Sequence, residues 1–232
     1  RDDVESRGLG DVYKRQEYRV LEKIKNSIPV CYLADHADFA LGIVTGNNKK
    51  FLSAEKTEHS EMVLKGTDIC KYHINPVKQY LRFEPEQFQQ VAPLEIYRAP
   101  EKLLYRFISN QLVVAYDDRQ MLSLNSCNIV IPKIEGMQIK YILAILNSSV
   151  SQFVYQKEFH SIKVLRAHME HIPIPRVGKA IQNEIIAMTE PLICGMGKEA
   201  AETCQKRLDC RIMDLFPVSY THLRAHETRR HL

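Results

Sequence analysis

The apolar residues of this chain change period near residue 139, and that switch limits its fold more than any other feature. Before it, the apolar runs are short, rich in β-branched and aromatic residues, and bounded by turn residues, as strands are. After it, they recur every three or four residues, as on one face of a helix. The expected strands are 28–33, the runs on both sides of a turn-like unit at 64–69, two strands within 103–116 joined at Ser109-Asn110-Gln111, and 127–132, ended by Pro132. Residues 42–50 read as a tight turn between extended segments, because Gly46, Asn47 and Asn48 tolerate positive φ.

Helical spacing begins at Ile139 and continues through Ile142, Ile145, Leu146, Val150, Phe153 and Val154. Asn147-Ser148-Ser149 interrupts that run and reads as a loop insertion or a packing site for small residues rather than a base reader. Ile172-Pro173-Ile174-Pro175 is an extended link, since a residue before proline avoids the helical region. Ile181, Ile185, Ile186 and Met188 mark a helix stopped near Pro191. Ala201, Cys204, Leu208, Ile212 and Leu215 share one face of a last helix. The fold class expected is therefore α+β: a mixed or antiparallel β-rich domain over 17–176, then a C-terminal helical segment over 177–216 that packs on it.

The terminal runs 1–16 and 217–232 are set apart from this scheme. Both resemble translated sequencing-adapter sequence and are expected to be non-native tails, so the chain reads as a piece of a longer protein. The last run, rich in Arg and His, otherwise imitates a basic nucleic-acid arm. The whole chain has 32 Lys and Arg against 28 Asp and Glu, a net +4. The first tail holds four basic and four acidic residues and the last holds three Arg and one Glu, so +2 remains on the body. A nucleic-acid role must therefore rest on local clusters of cations, not on overall charge.

A 45% hydrophobic and 26% charged composition excludes disordered and coiled-coil chains. No apolar run reaches the roughly 18 residues of a membrane span. The six cysteines form no C-x-x-C pair and read as small hydrophobes in a reducing, cytoplasmic setting. Catalytic patterns are missing: there is no phosphate-binding glycine loop, no G-x-S-x-G and no H-E-x-x-H. His168 and His171, three apart with His160 nearby, lack further ligands and read as a hydrogen-bonded pair, so no metal is expected. Asp35, His36 and Asp38 imitate an acid–base cluster, as in a self-contained nuclease, but their turn-like setting favours a capping role. No catalytic residue is assigned.

The ordered set of short motifs carries more information than any one of them. It runs GIVTGNNKKF (42–51), LKGTDICKY (64–72), PEKLLYRFI (100–108), VVAYD (113–117), SCNIVI (126–131), YILAILNSSVSQFVY (141–155) and MEHIPIP (169–175), with a final helix ending LDCRIMDLF (208–216). Together these resemble the TaqI-like C-terminal specificity domain of adenine-specific DNA methyltransferases, which also occurs in fused type IIG restriction-modification enzymes. The resemblance covers about residues 36–216.

It implies a target recognition domain that docks duplex DNA against an upstream methyltransferase domain absent from this chain. That domain would bind S-adenosylmethionine and hold the flipped adenine with an Asn-Pro-Pro-Tyr-type motif. This chain has no Pro-Pro dipeptide, so no cofactor is expected on it. Whether the parent enzyme also cleaves DNA stays open. The residues expected to meet DNA are Thr45, Asn47, Asn48 and Lys49 on the first turn and Lys65 beside Gly66 on the second. Arg98, Lys102 and Arg106 fall within nine positions, and Lys163 and Arg166 belong to a basic stretch with Lys157 and His160. Asp68 is expected to cap its turn, since a carboxylate beside phosphate is repelled. The competing reading is a non-catalytic protein-interaction or scaffold domain without DNA binding, which the near-neutral body favours.

Overall fold

The computed structural model describes residues 16–26, 28–159 and 161–216. The terminal runs 1–15 and 217–232, and His160, lie outside the described residues; position 16 opens the first helix. In chain order the elements begin with α1 (16–26), β1 (Val30–Cys31), β2 (Ala37–Ala40), α2 (Asn48–Phe51), β3 (Leu52–Ser53) and β4 (Ser60–Leu64). A 3₁₀ turn at Gly66–Asp68 follows, then β5 (Tyr80–Arg82), α3 (Leu94–Tyr97), β6 (Lys102–Arg106), β7 (Val114–Asp117), β8 (Leu122–Ser123) and β9 (Cys127–Pro132). The helical part holds α4 (Ile139–Asn147), α5 (Ser149–Glu158), α6 (Arg166–Glu170), the short strand β10 (Ile174–Pro175), α7 (Lys179–Cys194) and α8 (Lys198–Met213). The fold is α+β with C-terminal helices, as the change of period implies.

The central antiparallel sheet has the order β2-β9-β6-β7. Its inner strands bury both faces, which is why their sequences read as continuous apolar runs. Alternation sends Leu103, Tyr105, Val114, Tyr116 and Val130 into a core with α4, α5, α7 and α8. It sends Leu104, Ala115 and Ile129 the other way, against Val63, Leu64 and Leu122. The central sheet is thus the shared wall of two cores.

The second sheet has the order β3-β5-β4-β8. Its β4 and β8 are parallel, with Leu64 opposite Ser123. Beyond β8 it gains a further parallel neighbour, because Ile43 bridges Leu124, and then an antiparallel one, because Val44 bridges Gln90.

Several local readings need correction. The strand expected at 28–33 shrinks to Val30–Cys31, which pairs with Ile174–Pro175 in the extended proline link. The tight turn expected within 42–50 is instead a helical turn. Gly46 does take φ +75°, but Asn47 then caps α2, its side-chain oxygen accepting from the Lys50 N–H at 3.2 Å. The helix expected to stop near Pro191 runs through it to Cys194, so the proline falls in the last turn, where it is exposed and the helix ends three residues later. The six cysteines are unpaired, but Cys194 and Cys210 are exposed rather than core residues.

Candidate nucleic-acid interface

The second sheet delivers two chain segments to one end. Ile43 and β4 flank the strand 122–124 on opposite edges and both run parallel to it: the Ile43 N–H donates to the Ser123 carbonyl at 2.7 Å, and the Leu124 N–H donates to the Leu64 carbonyl at 2.8 Å. Thr45 and Lys65 therefore leave the sheet at the same end as Asn125. That end is also where the two sheets join, since Asn125-Ser126 carries the chain from β8 into β9.

The joint is held by close backbone approach. A Cβ on Gly42 would lie 2.1 Å from the Leu124 carbonyl oxygen, and one on Gly66 would lie 2.4 Å from that of Ser126. The Gly66 N–H also donates to the Ser126 hydroxyl at 3.0 Å. The 3₁₀ turn is fastened twice more. Asp68 accepts from the Lys65 N–H at 2.7 Å, the capping role expected of it. Arg106, at the end of β6 opposite Cys127, donates to the carbonyls of Gly66 at 2.8 Å and Ile69 at 2.6 Å. Next to it the segments 107–109 and 162–164 form a ladder, with the Val164 N–H donating to Phe107 and the Ser109 N–H to Ile162. Lys163 is exposed on this ladder.

The residues expected to meet DNA separate on this frame. Lys65, Arg106 and Lys163 come together around the Asn125-Ser126 joint. Lys65 is half-buried and Lys163 exposed, and the side chain of neither has a hydrogen-bond or ion-pair partner among the described residues. Lys163 sets its ammonium 5.9 Å from the Phe107 ring centre. Thr45 is buried and donates to Asn48 at 2.6 Å. Asn47, Asn48 and Lys49 are exposed at the start of α2, and Lys50 donates to the Gln87 side chain at 2.7 Å.

Arg98 and Lys102 belong to the other end, and here the expectation fails. Four residues of strand separate Lys102 from Arg106, roughly 13 Å. Lys102 is completely buried; its ammonium lies 2.6 Å from the Asp117 carboxylate and donates to the Tyr97 carbonyl. Burial holds its pKa below the ordinary value, against the upward pull of Asp117. It has no access to a phosphate. Arg98 makes a forked contact with Glu61 and donates to the Gln120 carbonyl, so its guanidinium is committed to the sheet edge. Proximity in sequence misled here because opposite ends of one strand are remote in space.

The basic stretch also divides. Lys157 pairs with Glu17 of α1, and Arg166 pairs with Glu170 while lying 5.1 Å from the Phe39 ring centre. Arg166 stays exposed. His168 is buried, stacked on Phe159 with ring centres 4.3 Å apart, and its Nδ1 accepts from the Leu165 N–H. Burial lowers its pKa. No cluster of potential metal ligands exists among the described residues. Asp38 pairs with Lys133 on the sheet edge, and Asp35 takes φ +58° in a turn.

Asn125 and Ser126 were not singled out in the sequence. The signal was present as Asn-Ser between two apolar runs, a turn signature, but it lay at the margin of a motif read as a strand.

A two-sheet α+β domain with helices on one face and with Lys65, Arg106 and Lys163 at the sheet joint is the class of protein these features define. Residues 61–174 match the TaqI-like C-terminal specificity domain family. No curated protein matches the chain in sequence. Among solved structures, the Type IIL restriction-modification enzyme MmeI in complex with DNA is similar in fold, with TM-score 0.54 and 11% identity over 86% of this chain and 36% of MmeI. A chain of a type I restriction-modification system gives TM-score 0.49 at 13% identity, over 91% of this chain and 51% of that one. The HsdS subunit from Thermoanaerobacter tengcongensis gives 0.46 at 13% identity, over 93% and 54%. The chain thus spans about half of the type I chain and about a third of MmeI. No described helix is long and apolar enough to cross a membrane.

Proposed function

We propose that this chain is the DNA target-recognition part of a restriction-modification enzyme. It binds duplex DNA at the joint of its two sheets. The observation that carries the reading is the convergence of Lys65 and Lys163 on that joint, which Arg106 fastens, inside the segment that matches the specificity-domain family. The fold shared with MmeI, a restriction-modification enzyme solved on DNA, supports it.

The ammonium groups of Lys65 and Lys163 contact phosphates and set the register, while the joint between them faces the groove. Methyl transfer to adenine belongs to a separate domain of the same enzyme, which binds S-adenosylmethionine. This chain acts by holding the site in place for that domain. The setting is the cytoplasm, where its six unpaired cysteines stay reduced.

The test is a fluorescence-anisotropy titration of the full chain on labelled duplex DNA at several salt concentrations. Two or three phosphate contacts give log K falling against log salt with a slope of about −2 to −3. No binding at low salt contradicts the proposal and leaves a protein-interaction domain as the reading.

A further inference from the structure

We infer that Asn125, rather than the Asn47-Asn48 pair, reads an adenine edge at this site. The inference rests on the DNA-recognition reading above and names the residue that gives it sequence preference.

An asparagine reads adenine in bidentate fashion, accepting from N6–H with Oδ1 and donating to N7 with Nδ2. Both halves of the amide must be available, and the backbone that carries it must be held. Asn47 has its oxygen engaged by the Lys50 N–H, and Asn48 has its oxygen engaged by the Thr45 hydroxyl. Each of these amides is oriented by the fold of α2. Asn125 is exposed, and its side chain has no partner among the described residues. Both halves of its amide are therefore unengaged within the chain.

Its backbone is fixed from three directions. The Asn125 N–H donates to the Ile43 carbonyl at 3.1 Å, the Cys127 N–H closes the turn onto Leu124 at 2.7 Å, and the adjoining Ser126 carbonyl accepts from Phe107 at 3.0 Å. A reader mounted on such a frame loses little freedom on binding.

The turn itself does not require asparagine. Among the described residues, the positive-φ ones other than glycine are Asp35, Tyr72 and Gln120, so Asn125 has an ordinary backbone that most side chains adopt. No side-chain bond from it caps the turn. What remains is its position: between the segment leaving Ile43 and the Lys65–Gly66 turn, with cations on one flank to hold the backbone of a duplex.

The experiment begins with selection of the full chain's preferred sequence from a randomised duplex library. Binding is then measured on the selected duplex, on duplexes with each A·T pair replaced, and on duplexes carrying 7-deazaadenine, which lacks the N7 acceptor. The wild type should discriminate about tenfold at one adenine, and N125A should lose that discrimination while binding unrelated duplex as the wild type does. N48A should keep it. An N125A protein that still discriminates overturns the inference. So does one that weakens on all sequences equally, or a loss of discrimination in N48A instead. If the wild type binds no duplex at low salt, the recognition reading itself falls, and this inference with it. Melting curves of N125A, at an exposed position, verify that the fold is kept.

Discussion

Asn147 presents both ends of its amide to the backbone of Val114: its oxygen accepts from the Val114 N–H at 3.1 Å and its nitrogen donates to the Val114 carbonyl at 2.8 Å. Five residues on, Gln152 does the same to Leu112. The two side chains pair the edge backbone before and at the start of β7, beside its bridge to Tyr72. Asn147 is completely buried. Asn147→Ala should therefore leave the buried Val114 N–H unpaired, while the Val114 carbonyl keeps the Tyr72 N–H at 2.7 Å, and should cost about 1–3 kcal/mol. Denaturant unfolding checks this, and DNA affinity of the folded fraction should not change.

Lys102 and Asp117 form an ion pair with neither side chain exposed. Lys102→Met should destabilise the chain by about 3–5 kcal/mol, because Asp117 is left as a buried charge without its counterion. The double variant Lys102→Met with Asp117→Leu should recover part of that loss. A Lys102→Met protein that unfolds as the wild type does but binds DNA more weakly would return Lys102 to the interface.

His168 has its pKa lowered from an ordinary 6.5 by burial. The unfolded chain therefore binds a proton at this site before the folded chain does. Its contribution to stability is fully present above pH 6.5 and is lost as the pH falls below that value toward the folded pKa. The melting temperature of the wild type should drop between pH 7 and 5 more than that of His168→Phe, which keeps the stack on Phe159 without the titrating ring.

Gly66 meets the Ser126 carbonyl where a Cβ would lie 2.4 Å away. Backbone cannot yield as a flexible side chain does, so Gly66→Ala should push the Lys65 turn off the joint. Both stability and DNA binding should fall, and Gly178→Ala, with open space around it, should change neither.

Much of the central sheet was legible because β6, β7 and β9 bury both faces and so announce themselves as apolar runs. The strands β3, β5 and β8 were not, since two or three residues carry no period and their pairing is decided by neighbours far along the chain. Asn47 illustrates a local ambiguity: the residue that tolerates a turn also caps a helix, and Lys50 settled it by donating to Asn47. At the site, Lys65 stood out in the sequence beside Gly66 in a turn, and Lys163 within a basic stretch after a helix. Lys102 and Arg98 were misassigned because their carboxylate partners, Asp117 and Glu61, lie 15 and 37 positions away in sequence.

The most direct test compares cation removal at the two ends of the sheets. Lys65→Ala and Lys163→Ala lie at the joint; Arg119→Ala, exposed beside Asp117, lies at the far end. The measured quantity is the slope of log K against log salt on duplex DNA. Each joint substitution should reduce it by about 1, and Arg119→Ala should leave it unchanged. Equal reductions from all three, or none from the joint pair, would contradict a DNA-binding face at the joint of the two sheets.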